Sequence, residues 1–210
     1  MDFTQFLNFF IGLLVIANPL SALPAVLRIT SHQNEVQKRK TGITTAFAVG
    51  VILLVVTWIG PSLLLILGIK LPAFQVAGGI ILFMMALSML NATASPIKQT
   101  VEEGKEKLPS RETGAIVPLA IPIIAGPGAI STIIVQMNEF PGWENQVLVS
   151  CSAILVAFVM GVLLVSATHL EKLLGHSGIN IINRLGGLIL AAISIQTMAN
   201  GVHGLFPHLG

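Results

Sequence analysis

Charged residues are sparse along this chain and gather into short clusters. Between them lie six long uncharged runs, histidine aside: 3–27, 41–69, 71–97, 113–138, 145–170 and 185–210. Each exceeds the ~20 residues a helix needs to cross a bilayer. The pattern predicts an all-α membrane protein of six transmembrane helices. The apolar–polar alternation of membrane barrel strands is missing. Two runs carry a contradiction near their middles. The fourth contains IIAGPGAIS, where Gly126-Pro127-Gly128 makes a poor helix centre, and the first contains Asn18-Pro19.

The chain is also written twice. The offset that carries Val15 onto Ile123 lays VIANPLSA (Val15–Ala22) over IIAGPGAI (Ile123–Ile130). The same offset carries Gln75 onto Asn183 and lays QVAGGIILFMMALS over NRLGGLILAAISIQ. The expected organisation is one transmembrane domain over 1–210, with repeat 1 at about 1–93, a flexible linker at about 94–112 and repeat 2 at about 113–210. Three spans per repeat force the second to enter from the opposite side. That is an inverted-topology repeat, a plan found in many secondary transporters. Spans 1 and 4 are then interrupted at equivalent places near the midplane. Proline removes a backbone donor and displaces the carbonyl four residues earlier. Freed backbone groups are tolerated in a membrane where protein buries them or where they line a wet cavity. Paired interruptions in corresponding spans point to a binding site. Pro24, Pro118 and Pro122 read as helix-shaping residues beside these breaks.

Composition agrees. The 210 residues are 54% hydrophobic and 10% charged, against about a quarter charged in a soluble domain. Mean hydropathy is +0.88. Charge adds orientation. The loops after spans 1, 3 and 5 hold ten of the eleven Lys and Arg residues, and Lys70 alone lies on the other side. The basic side is expected to be cytoplasmic, so both termini face away from the cytoplasm. The net charge of +2 therefore reports topology and offers no footprint for nucleic acid. The first run lacks the basic start of a cleaved signal, with no Lys or Arg before Arg28. Cys151, the one cysteine, is expected to be a small packed hydrophobe.

At ANPLSALP, VPLAIPIIAGPGAIST, AGGIIL and SGINIINRLGGLIL the sequence resembles the MarC family of six-span bacterial membrane proteins, which includes small neutral amino acid transporters of the SnatA type. The resemblance covers nearly the whole chain. It implies a transporter of two inverted three-helix repeats, with Asn18-Pro19 and Gly126-Pro127-Gly128 as unwound segments beside the substrate. Ser21 stands where family members often carry glycine, a departure that bears on substrate identity.

No Asp, Glu, Lys or Arg lies well inside any run, so the expected substrate is neutral overall. A zwitterion fits. Its carboxylate matches the N–H groups of half-helices, and its ammonium matches carbonyls and side-chain oxygens. The candidate substrate-binding residues are Asn18, Pro19, Ser21, Gly126, Pro127, Gly128, Ser131 and Thr132. Sodium or protons are the candidate coupling ions. Gln75 and Asn183 read as interface hydrogen bonders, and the Gly78-Gly79 and Gly186-Gly187 pairs as helix contacts. The histidines match no metal spacing, and no nucleophile or cofactor motif is present, so neither a metal, a cofactor nor an enzyme is expected. The reading is a multi-pass transporter of glycine, alanine or serine in the bacterial inner membrane, by alternating access. Its rivals are an exporter of another small polar metabolite or drug and a non-transporting scaffold or regulator. Oligomeric state and direction of transport are not legible.

Overall fold

A computed structural model describes residues 3–30, 32–91 and 126–207. The expected linker at about 94–112 and the first half of the fourth run, with Pro118 and Pro122, lie outside them. The described residues are helical, in the order α1 (Phe3–Ala17), α2 (Pro19–Ile29), α3 (Glu35–Ile66), α4 (Leu71–Leu90), α5 (Pro127–Glu139), α6 (Trp143–Val165) and α7 (Ala167–Leu205). Four helices are long and apolar enough to cross a membrane: α3, α4, α6 and the Ser177–Leu205 part of α7. The first run is not one helix. It is the short apolar α1 followed by α2.

Helix ends depart from the run boundaries where polar chemistry extends a helix beyond its apolar part. α3 starts ahead of its run, at a capping box in which Asn34 accepts from the Gln37 N–H and Gln37 from the Asn34 N–H. It ends in a Schellman turn. Gly68 takes φ +66° there, while the N–H groups of Gly68 and Ile69 return to the Leu65 and Leu64 carbonyls at 3.1 and 3.0 Å. The sixth helix is longer than its run. α7 continues back to Ala167 through a kink at Gly175, φ 61° and ψ 174°.

One core of buried side chains draws on all seven helices, with Leu13, Leu23, Leu53, Leu82, Ile133, Val149 and Leu190 fully enclosed. Val51, Val55, Ile59, Phe158 and Val162 face outward and exposed, as a lipid-facing wall requires. Buried hydroxyls bond within their own helices. Thr57 donates to the Leu53 carbonyl at 2.8 Å and Ser152 to that of Leu148 at 3.1 Å. Lipid tails are as apolar as leucine, so helices here associate through close contact of small residues.

The closest seam joins α4 to α7. Gly79 lies against Ser194 and Met198, its Cβ position 3.0 Å from the Ser194 carbonyl oxygen. Gly187 lies against Ala86 and Leu90, 3.2 Å from the Ala86 oxygen and from Leu90 Cγ. Farther along, Gly201 meets Pro72 and Val76. The start of α4 thus packs on the end of α7, and the two run antiparallel. α3 and α6 do the same, with Gly42 against Leu164, Gly50 against Ala157 and Gly161 against Ala46. α5 packs on α3 and α4, and α2 on α6 and α7. Cys151 is exposed, so the expectation of a packed cysteine is corrected: it sits on the outward face of α6.

The seam predicts a measurable asymmetry among glycines. Gly79→Leu and Gly187→Leu should each lower stability by about 1–3 kcal/mol, the usual cost of overpacking. Gly12→Leu, with nothing within 4 Å of its Cβ position, should leave stability unchanged. Thermal unfolding in detergent micelles followed by helical dichroism checks this.

Candidate functional site

Pro19 has no N–H to give the Val15 carbonyl and its ring crowds that carbonyl, so α1 stops. The stop falls on Asn18, which takes φ 41°, a left-handed setting that asparagine tolerates better than most residues. The Asn18 N–H still reaches the Leu14 carbonyl at 3.0 Å. Pro19 then opens α2 at the first helical position, where a missing donor leaves no bond unmade. Ser21 falls in the first turn of α2, and its side chain lies outside the described part.

The second interruption has the same form. Gly126 is extended, φ −64° and ψ 169°, and Pro127 is the first residue of α5. The Gly126 carbonyl accepts from Ala129 and Ile130 at 3.0 and 3.3 Å. Gly126 is therefore non-helical, while Pro127 and Gly128 belong to the helix. Of the three residues expected to be unwound, only Gly126 is so.

α4 brings both interruptions to one place. Asn18 Nδ2 donates to Met89 Sδ at 3.3 Å. A Cβ on Gly128 would stand 2.6 Å from Leu82 Cδ2 and 3.3 Å from both Ile16 Cγ2 and Met85 Sδ. Glycine thus lets α5 begin close against the end of α1 and the middle of α4, where any larger residue would push the Leu82 side chain aside.

From this point a polar cleft of about 200 Å³ runs along α5 between α4 and α7. Ser131 and Thr132 are on its wall, as are Gln75 and Leu82 of α4 and Gln196, Thr197 and Asn200 of α7. Ser131 is buried against Gly78, and Thr132 Oγ1 donates to the Gly128 carbonyl at 2.9 Å. Leu82 both lines the cleft and packs on Gly128. The structure divides the expected site. Ser131 and Thr132 line the cleft, while Asn18, Pro19 and Gly126 stand beyond it and are not on its wall.

Several cleft residues were missed. Gln75, taken as an interface residue, is only 5% exposed, and its Nε2 donates to Glu139 Oε1 at 2.7 Å. Glu139 follows the fourth uncharged run, but α5 carries it onto the cleft wall. Burial pushes its carboxyl above the usual value, and the Gln75 hydrogen bond partly opposes that rise. The available signal was helical spacing: residues 131, 132, 135, 136 and 139 on α5, and 193, 196, 197 and 200 on α7, each form one mostly polar stripe. Asn183, the counterpart of Gln75, keeps a buried Oδ1 with no hydrogen-bond partner and is not on the cleft wall. No group of three or more His, Cys, Asp or Glu with metal-binding geometry occurs among the described residues.

The raised carboxyl has a thermodynamic sign. Folded Glu139 binds its proton more tightly than the unfolded chain does, so protonation favours folding. Stability should fall as pH rises from the ordinary glutamate range through the raised value, and Glu139→Gln should remove that slope. Unfolding of both proteins from about pH 4 to 8 brackets the window.

Comparison with known proteins is consistent along nearly the full length. The family described as "MarC family integral membrane protein" matches residues 3–206. A UPF0056 membrane protein of Buchnera aphidicola from Acyrthosiphon pisum is 36% identical, over 99% of this chain and 96% of its own. The UPF0056 membrane protein YhcE of Escherichia coli is 35% identical, again over 99% and 96%. An archaeal UPF0056 membrane protein, from Pyrococcus abyssi, is 33% identical over 94% of each chain. No solved structure matches the chain.

Proposed function

The chain belongs to the MarC family of integral membrane proteins, and from that premise we propose that it is a secondary transporter of small neutral amino acids, of the glycine, alanine or serine type. It would reside in the bacterial inner membrane with six spans, both termini away from the cytoplasm, and no enzymatic step. The proposed fold is two inverted three-helix repeats. The α4–α7 seam supports the inversion. Gly79 meets Ser194 and Met198, and Gly187 meets Ala86 and Leu90. The repeat offset carries Gly79 onto Gly187, Ala86 onto Ser194 and Leu90 onto Met198, so these contacts correspond, while Met89 beside Gly187 has no counterpart among those of Gly79. Equivalent, antiparallel helices related in this way are what a two-fold axis in the membrane plane produces.

The observation that carries the reading is the pair of proline-headed helices. α2 starts at Pro19 and α5 at Pro127, which the repeat offset superposes. The interruptions before them meet on α4 beside a polar cleft. The first turn of a helix leaves N–H groups without intrahelical acceptors, and they favour a carboxylate. The carbonyls at the end of α1 favour an ammonium or a sodium ion. Two half-helices of similar build give the two access states similar energies, and α4 and α7 offer a seam along which they exchange. Proton or sodium coupling would drive net movement.

Uptake of labelled alanine into proteoliposomes, with sodium or proton gradients imposed in turn, tests the proposal. Glycine should compete, and one gradient should drive the flux. Asn18→Gly keeps the left-handed backbone and removes the amide. It should insert and melt like the parent but lose flux by about tenfold or more, the cost of one hydrogen bond to a charged ligand. Alanine uptake unaltered by Asn18→Gly and by Gly128→Leu would sink the site. No uptake of any amino acid by the folded parent, with a different polar solute carried instead, would favour the exporter reading. No flux at all would favour a scaffold.

A further inference from the structure

We propose that Glu139 and Gln75 form an ammonium-recognition site at the mouth of the cleft, where the Glu139 carboxylate takes the primary ammonium group of the incoming amino acid. The proposal rests on the transporter reading for its substrate, and on the cleft alone for its chemistry.

The cleft has a polarity from end to end. Its floor is Leu82 and Ser131, close to the glycine at the head of α5. Its other end is Glu139, the last residue of α5, exposed beside the turn to α6. Gln75 lies one turn into α4, buried, and donates its amide N–H to Glu139 Oε1. That bond holds the carboxyl on the cleft wall and occupies one oxygen, leaving Oε2 for a ligand. An amide donor suits both forms of the carboxyl, because Oε1 accepts whether or not Oε2 carries a proton.

Glu139 is the one ionisable residue on the cleft wall among the described residues. Gln75 faces it from α4, and α7 contributes only Gln196, Thr197 and Asn200 on its polar face. Lys70 before α4, Glu144 at the start of α6 and His203 one turn beyond Asn200 are exposed and off that wall. The charges of α3 are at its opposite end, from Glu35 to Lys40, and the described part of α1 has none. Among the described residues, no cation on the cleft wall neutralises Glu139. Desolvation keeps its carboxyl above the ordinary range, so proton and ammonium compete for it. A carboxylate beside a hydroxyl-lined path also distinguishes amino acids from neutral solutes of equal size, since only the former present a cation.

The test reads half-saturation and titration together. In proteoliposomes, Glu139→Gln should raise the half-saturating alanine concentration by about ten- to hundredfold, the range for one charged hydrogen bond. Glu139→Asp should recover part of it. Half-saturation in the parent should climb as pH falls through the carboxyl titration, and Glu139→Gln should show no such climb. Unchanged half-saturation and pH profile in Glu139→Gln would overturn the proposal. A second readout is independent of flux: the Glu139 carboxyl band, taken as the infrared difference between parent and Glu139→Gln in detergent. Alanine or ethanolamine should lower its titration midpoint, while propionate should not. If the parent carries no amino acid yet ethanolamine shifts the band, the transporter reading fails and the ammonium site stands. If no ammonium compound shifts it, the site fails whatever the flux.

Discussion

A peptide group freed inside a bilayer has no water to turn to, so any break in a helix must be enclosed by protein. Pro19 and Pro127 each create such a break, and the helix packing answers both. The first is tied to α4 through Asn18 and Met89. The second is enclosed where Gly128 admits Leu82, Met85 and Ile16 to van der Waals range of its backbone. α4 is consequently the element on which the arrangement turns. It touches both interruptions, walls the cleft with Gln75 and Leu82, and pairs with α7 along its length.

That pairing depends on glycine because apolar side chains gain little by leaving lipid for one another. Backbones must approach closely for dispersion to hold them, and Gly79 and Gly187 permit a close approach to the opposing carbonyl oxygens of Ser194 and Ala86. Side chains of Met198, Met89 and Leu90 close over the same glycines from the facing helix.

The cleft is organised differently. Its hydroxyl Thr132 and its amide Gln75 are each held by a bond within the protein, so the cavity presents ordered acceptors before any ligand arrives. Glu139 sits exposed at the end of α5, where partial desolvation raises its carboxyl and the Gln75 hydrogen bond opposes that rise. A charge at that depth costs far less than one at the midplane, where the uncharged runs allow none.

How much was legible follows from what is local. Membrane character, the helical class, the stop at Asn18-Pro19 and the helix start at Pro127 are consequences of side-chain polarity and proline geometry within a few residues, and the sequence alone determined them. The echo between the halves was likewise written in the residues. Two pairs of helix starts stand at its spacing, Pro19 with Pro127 and Glu35 with Trp143, while Leu71 and Ala167 do not. Ser131 and Thr132 were recognisable as cleft residues through their nearness to the α5 break. Gln75 and Glu139 were not, because nothing local ties two residues so far apart in the chain. Their meeting requires α4 and α5 to pack with a definite rotation, and the polar stripes of α5 and α7 acquire meaning only once they face each other. Only the tertiary structure decided that Ser131 and Thr132 share a cleft wall with Gln75 and Glu139, since a wall made by helices distant in sequence leaves no local mark in any of them.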